Sequence, residues 1–319
     1  MKEIMTLKGF DGEILSSCVM ADFTTFRLGG PVLCVIPCRV PQDVCRAADC
    51  LEKNEIPFII IGAGSNLVVS DEGLPCAVIR YLSEDPAIAQ KGDSLNVGAG
   101  TKLDHLALYA ATRGLKGLNH LTGIPGTVGG AVVGNAGAFG QQISDSLRSV
   151  TIRTSEGKVK EIMPQGLDFG YRDSNLKRSR DVVLSARFSL SPEDKDLLLK
   201  ERREILDLRC QKHPDYRRLP TAGSFFRNRA SSEPENPQAA GWFLERAGAK
   251  TFRCGGAYVF EKHANMIVKD NSGTAQEVFD LSQKMTQAVK AAFGVTLTRE
   301  VCFVGRFQGA DYDPQTPVW

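Results

Sequence analysis

The chain alternates between short apolar runs and stretches with apolar residues every three or four positions. VLCVIPC (32–38) is a continuous apolar run and predicts a first strand. From Pro41 to Asn54 the apolar positions Val44, Ala47, Ala48 and Leu51 follow a 3.6-residue rhythm, with proline near the start, and predict an amphipathic helix. Phe58–Ile61 predicts a short buried strand, followed by the glycine turn Gly62-Ala63-Gly64-Ser65-Asn66 and a further strand. Strand, helix and strand in this order predict a βαβ unit. CAVIRY and SLNVGAG predict more strands, and Leu103–Arg113 a helix closed by Gly114.

SVTIRTSEGKVKEI predicts a hairpin turning at Glu156-Gly157, and VVLSARFSL another strand. A boundary is expected near Ser191-Pro192, before a charged helix from Glu193 to Arg209 that offers Leu197, Leu198, Ile205 and Leu208 for burial. The last third reads as a separate unit. In it Thr274 and Glu277 form a capping box for a helix with Val278, Leu281, Met285, Val289 and Phe293 on its apolar face, ended by Gly294. VTLTREVCFVG predicts the closing strand. The polar, proline-rich RASSEPENPQ predicts an exposed loop, and the tail from Gln308 to Trp319 a loosely held end.

One stretch departs from both rhythms. LTGIPGTVGGAVVGNAGAFG, Leu121 to Gly140, has seven glycines in twenty residues and no charge. Glycine costs backbone entropy, so such a run belongs where the main chain turns tightly or approaches something closely. Successive backbone N–H groups in these turns make a concave nest suited to a phosphate. Pro125 favours a set loop, and Thr127 and Asn135 add side chains able to bind a ligand or cap a turn. A buried turn between small-residue packing segments is the competing reading. The turn at 62–66 is a second phosphate candidate, but Leu67 stands where a dinucleotide fingerprint needs its third glycine.

Composition adds mainly exclusions. With 319 residues, 42% hydrophobic and 24% charged, the chain has material for two or three packed units. A formal net charge of +2 gives no reason to invoke nucleic acid or an anionic membrane. Nine scattered cysteines without C-x-x-C, and four histidines without ligand spacing, argue for reduced thiols and against a metal. With no bilayer-length apolar segment and no signal-peptide pattern at MKEIMTLKGF, a cytoplasmic protein is expected.

Three polar residues lie in otherwise apolar or aromatic settings: Arg172 in FGYRDS, Ser224 in AGSFF and Glu300 within the closing strand. Taken singly each also reads as a strand-end charge, a turn serine or a surface ion pair, and spacing leaves their convergence open.

The blocks TTFRLGG, GAGSNLVVSDEG, GLNHLTGIPGTVGGAVVGNAG, FGYRDS, AGSFFRN, GGAYVFEKHANMIV and LTREVCFVG, in this order from about residue 20 to 307, resemble the MurB family of UDP-N-acetylenolpyruvoylglucosamine reductases. The resemblance implies an α+β protein with a two-part FAD-binding region of the vanillyl-alcohol-oxidase (PCMH) type and a C-terminal α/β substrate-binding domain. The expected division is 1–75 and 76–195 for the FAD-binding subdomains and 196–319 for the substrate domain. It further implies reduction of bound FAD by NADPH and hydride transfer to the enolpyruvyl group of a UDP-sugar, giving UDP-N-acetylmuramate for peptidoglycan, in a monomer.

Carried over by position, Arg172 and Glu300 would bind and polarise the enolpyruvyl carboxylate, Glu300 with a raised pKa, and Ser224 would protonate the α-carbon. Gly62, Ala63, Gly64, Ser65, Asn66, Gly123, Ile124, Gly126, Thr127, Gly129, Gly130 and Asn135 would hold the FAD, and Lys212 and Asn228 the nucleotide sugar. Three positions depart from the family pattern: Gly134 for a usual methionine, Cys302 for a commonly basic residue and His120 for a usual aromatic. The short connection after Phe188 resembles the shorter family subtype. Competing readings are another flavoprotein of the same fold, such as a sugar or alcohol oxidase, and a flavin-binding protein without turnover.

Overall fold

A computed structural model describes residues 9–229 and 239–310. The proline-rich loop from Ala230 to Gln238 and the tail from Asp311 lie outside the described residues. The elements run β1 (Val32–Cys38), α1 (Pro41–Lys53), β2 (Phe58–Ile61), β3 (Leu67–Val69), β4 (Leu74–Tyr81), β5 (Ile88–Lys91), β6 (Ser94–Gly98) and α2 (Leu103–Thr112). Next come β7 (Leu115–Lys116), α3 (Val128–Val133), β8 (Gly137–Ala138), β9 (Gln141–Gln142), β10 (Leu147–Arg153), β11 (Val159–Ile162), β12 (Val182–Ser189) and β13 (Ser191–Pro192). After α4 (Lys195–Lys212) follow α5 (Ala240–Arg246), β14 (Arg253–Cys254), β15 (Ala257–Val259), β16 (Ile267–Lys269), α6 (Ala275–Phe293) and β17 (Cys302–Val304).

Contacts divide the chain into two interleaved units. The first comprises 1–18, 33–63 and 75–209; the second comprises 19–32, 64–74 and 210–319. The change from first to second unit in the C-terminal half falls inside α4, after Arg209, and the Ser191-Pro192 segment still pairs back onto β7.

In the first unit, β2 pairs in parallel with β4, and β4 lies between β2 and β1. The β1–α1–β2 crossover therefore leaves a place that the later strand β4 fills. A five-stranded antiparallel sheet, β11-β10-β12-β6-β5, carries the rest. Helix α1 buries Val44, Ala47, Ala48 and Leu51, as the periodicity predicts, in a core shared with Leu95, Val97, Val150, Ile152 and Phe188. Arg153 on β10 is only 2% exposed, and its guanidinium binds Asp49 at 2.5 Å and Glu52 at 2.6 Å, both on α1. A buried cation persists only when paired in this way. Helix α4 turns its surface differently from expectation: Leu197 is exposed, while Leu198, Ile205 and Arg202 are buried.

In the second unit, β3 pairs in parallel with β17, and β14-β15-β16 form an antiparallel sheet. The capping box of Thr274 and Glu277 starts α6, and Gly294, with φ +68°, ends it. Val278, Leu281, Met285 and Val289 enter the core; Phe293, expected with them, is 36% exposed and packs edge-on against Phe243. Phe26, Phe225, Phe226, Phe279, Phe303 and Phe307 supply the aromatic body of this core. The closing strand is only three residues long, so Glu300 lies just before it and not within it.

Candidate active site

The glycine stretch is not a plain loop. Its middle folds into α3, six residues long, with Thr127 as N-cap accepting from the Gly130 amide. The stretch is tied down on both sides by backbone bonds. Leu103 N–H donates to Gly126 C=O, Val128 N–H to Thr101 C=O and Gly129 N–H to Ala99 C=O. Gly123 N–H donates to Asp104 at 2.7 Å, and Ile124 N–H to Leu121 C=O. The amides of Gly123, Ile124, Gly129 and Gly130, all expected to face the cofactor, are therefore spent within the protein. Those of Gly126 and Thr127 donate to nothing among the described residues.

Behind the stretch stands a charged support that spacing gave no sign of. Arg202 binds Asp104 in a two-pronged pair, both distances 2.8 Å, and donates to Thr122 Oγ1. Burial pushes the Asp104 carboxyl up, but Arg202 and the Gly123 amide outweigh it and hold it below the usual carboxylate range. Arg209 donates from Nε to Thr122 C=O at 2.8 Å, and its Nη2 is buried without a protein partner. Burial pulls its pKa down. Two adjacent unspent backbone N–H groups are the kind of donor that suits a phosphate, and Arg209 of α4 packs on the same stretch at Thr122. These two amides fit the chemistry of a phosphate-binding turn.

The first turn meets this loop. A Cβ on Gly62 would lie 2.2 Å from Thr127 Oγ1, so glycine is what lets the end of β2 rest on the cap of α3. Gly62 and Ala63 belong to the first unit, whereas Gly64, Ser65 and Asn66 belong to the second. Gly64 takes φ +62° against Phe23 and accepts from Thr25 N–H, which explains the TTFRLGG block. Asn66 C=O accepts from Cys302 N–H at 2.9 Å, and its side chain donates to Glu300 C=O at 3.1 Å. Asn66 therefore holds the backbone of Glu300 and Cys302.

Asn135, expected to contact the cofactor, is fully buried with φ +43°. Its side-chain amide donates to Gln142 and to Gly170 C=O, both at 2.8 Å, and its oxygen accepts from Ser144 N–H at 3.4 Å. With these internal bonds it fastens the Arg172 turn to the end of the glycine stretch. Arg172 itself has φ +53° and donates to the carbonyls of Gly137 and Asn135. His120, beneath the β8–β9 hairpin, is 3% exposed, with the Gln141 side chain beside its ring. Burial drives its pKa down to about 4, with Asp145 and the Gln141 side chain opposing it and nearby Arg172 adding to the effect.

In the second unit the structure sets the segments that carry Ser224 and Glu300 side by side. Glu300 N–H donates to Phe225 C=O at 2.8 Å, Phe226 bridges Arg299, and Arg227 N–H donates to Thr298 C=O. Ser224 also bridges Met266 on the opposite edge. Ser224 and Glu300 thus sit on neighbouring extended segments, with Glu300 opposite Phe225, the residue after Ser224. The Thr221 hydroxyl donates to Ile267 C=O at 2.7 Å and accepts from Gly223 N–H, fixing the turn into Ser224. Lys212 is the exposed last residue of α4, and Asn228 Oδ1 accepts from the first amide of α5 at 3.0 Å. Arg172 belongs to the first unit.

No group of three or more His, Cys, Asp or Glu able to hold a metal occurs among the described residues. No helix there is long and apolar enough to cross a membrane.

Comparison with known proteins places this arrangement. A family profile described as "FAD binding domain" matches residues 32–163, so the class is an FAD-binding oxidoreductase. A second, "UDP-N-acetylenolpyruvoylglucosamine reductase, C-terminal domain", matches residues 213–304. The UDP-N-acetylenolpyruvoylglucosamine reductase of Trichormus variabilis is 35% identical over 97% of this chain and 91% of its own length. That of Acaryochloris marina is 37% identical over 92% and 94%. The crystal structure of the Thermus caldophilus enzyme is 32% identical with a TM-score of 0.74, covering 91% of this chain and 98% of that one. The chain belongs to the MurB family of UDP-N-acetylenolpyruvoylglucosamine reductases. Its fold is accordingly α+β, an FAD-binding region followed by the family's C-terminal domain.

Proposed function

We propose that this protein reduces the enolpyruvyl group of UDP-N-acetylenolpyruvoylglucosamine to give UDP-N-acetylmuramate, with NADPH as reductant, in cytoplasmic peptidoglycan precursor synthesis, acting as a monomer. The observation that supports the reading is the Glu300 N–H to Phe225 C=O bond, which joins the segment carrying Glu300 to the segment carrying Ser224. In the functional partition we propose, residues 1–75 and 76–195 serve the FAD and 196–319 the substrate.

Bound FAD supplies the hydride relay between NADPH and the enolpyruvyl double bond. Gly62, Ala63, Gly64, Ser65 and Asn66 shape one turn toward it. Gly126 and Thr127 donate backbone N–H groups to its phosphates, and Arg209 adds a charged donor. Gly123, Ile124, Gly129, Gly130 and Asn135 act by backbone shape and close approach, since their polar groups are engaged internally. Lys212 sets a positive charge for the diphosphate of the sugar nucleotide, and Asn228 contacts the sugar.

Hydride addition at the β-carbon drives negative charge onto the α-carbon and the substrate carboxylate. The Arg172 guanidinium donates charge-assisted hydrogen bonds to that carboxylate. Glu300, in its protonated form, donates to it as well. Ser224 gives its hydroxyl proton to the α-carbon; a serine is a weak acid, but a carbanion-like carbon is a strong base.

The test is anaerobic. NADPH should bleach the flavin, and the enolpyruvyl sugar nucleotide should restore the yellow spectrum. A protein that bleaches but is not reoxidised by this substrate is a flavoprotein of another specificity, and the proposal fails.

A further inference from the structure

We propose that Asn265 is the positioning residue that holds Ser224 in place for proton delivery; this rests on the reading above, in which Ser224 is the donor. Ser224 occupies a segment with little regular strand pairing. Isolated bridges tie it to Met266 on one edge and tie Phe226 to Arg299 on the other. Such a segment has few ladder bonds to define its position, yet a proton donor must be held to within about half an ångström.

Asn265 supplies the missing ladder. Its main-chain carbonyl accepts from Phe225 N–H at 2.9 Å. Its side-chain oxygen accepts from Phe226 N–H at 3.0 Å, and its side-chain nitrogen donates to Phe226 C=O at 2.8 Å. The carboxamide thus pairs with both polar groups of one residue, as a peptide unit of a neighbouring strand would. The side chain is 3% exposed, so these bonds have no water competing for them.

Asn265 is held in turn: its own N–H donates to His263 Nδ1 at 3.3 Å. On the opposite edge, Glu300 N–H binds Phe225 C=O. Asn265 and Glu300 therefore grip the same short segment from two sides, with the buried rings of Phe225 and Phe226 as its anchors. The choice of residue follows from this geometry. Aspartate keeps the acceptor but turns an oxygen toward Phe226 C=O, and glutamine is one methylene too long.

The experiment uses the FAD-loaded enzyme and its Asn265→Asp and Asn265→Ala variants, measuring the two half-reactions separately. Bleaching by NADPH does not involve Ser224 and should be unchanged. Reoxidation by the enolpyruvyl sugar nucleotide should slow about 10²-fold, the cost of a misplaced group, with KM for that substrate unmoved. Loss of both half-reactions in proportion, or reoxidation at the wild-type rate, overturns the proposal. Wild-type enzyme that fails to cycle at all overturns the functional reading, and the proposal with it. Should neither variant fold, hydrogen exchange on the wild type decides: the Phe225 and Phe226 amides must exchange slowly, and fast exchange at both overturns the proposal.

Discussion

Gly62 and Thr127 touch so closely that a methyl group on the glycine would lie 2.2 Å from the threonine hydroxyl and 2.9 Å from its methyl. The threonine cannot swing aside freely, because that hydroxyl accepts from the Gly130 amide and caps α3. The end of β2 and the start of α3 are therefore one junction, where Gly62 of the first glycine turn meets the glycine stretch.

Gly62→Ala should break that junction. Overpacking of this kind costs about 1–3 kcal/mol. The expected result is a lower melting temperature together with loss of bound FAD, read from flavin released per mole of chain. Full flavin content with an unchanged melt would show that the contact is slack.

Asp104→Asn removes the charge that faces Arg202 and anchors the Gly123 amide. The loss should cost about 1.5–3 kcal/mol, the range for hydrogen bonds to charged groups. The wild-type carboxyl is held below the usual range, so its contribution is present above the pKa of an unfolded aspartate. That contribution is lost as pH falls through the folded value. Urea denaturation across pH should show the wild type and variant converging in acid. A constant gap at all pH values would contradict it.

His120 is a buried imidazole, 3% exposed. Its folded pKa of about 4 lies below the value of 6.5 for a free histidine, so only the unfolded chain gains the proton between these limits. Stability is full above pH 6.5 and falls by about 3 kcal/mol as pH drops to 4. His120→Phe should remove that acid-side loss, so that urea denaturation of the variant changes less between pH 6.5 and 4 than that of the wild type. An equal pH dependence in variant and wild type would contradict it.

Arg172→Lys keeps the charge and loses the forked geometry that recognises a carboxylate. Reoxidation by the enolpyruvyl substrate should slow about 10²–10³-fold, as for other donors to a developing oxyanion. Flavin reduction by NADPH should continue. Stopped-flow absorbance separates the two, and equal loss in both would remove Arg172 from its proposed role.

Ser224→Ala should bleach normally with NADPH and recover about 10²–10⁴-fold more slowly on adding substrate. Recovery at the wild-type rate would place the proton donor elsewhere.

Much of the fold was legible in local pattern. The apolar rhythm of α1, the capping box and Gly294 at the ends of α6, and the β10–β11 hairpin turn are all set by residues within a few positions of each other. What escaped was non-local. The segments 19–32 and 64–74 pack with the C-terminal third, far away in sequence, and no periodicity records such a partnership. Rhythm alone offers Leu197 and Phe293 for burial, but the surface a helix turns inward is chosen by the surface it meets.

The site divides along the same line. The sequence by itself determined that glycine-rich turns, an arginine, a serine and a glutamate occur in the order shared by one enzyme family, because those motifs are local strings. Only the tertiary structure decided which glycine amides remain able to donate, that Asn135 serves the Arg172 turn, and that Asn265 and Asn66 brace the segments bearing Ser224 and Glu300. Hydrogen bonds between residues tens to hundreds of positions apart depend on how the chain returns upon itself, and a linear string carries no measure of that return.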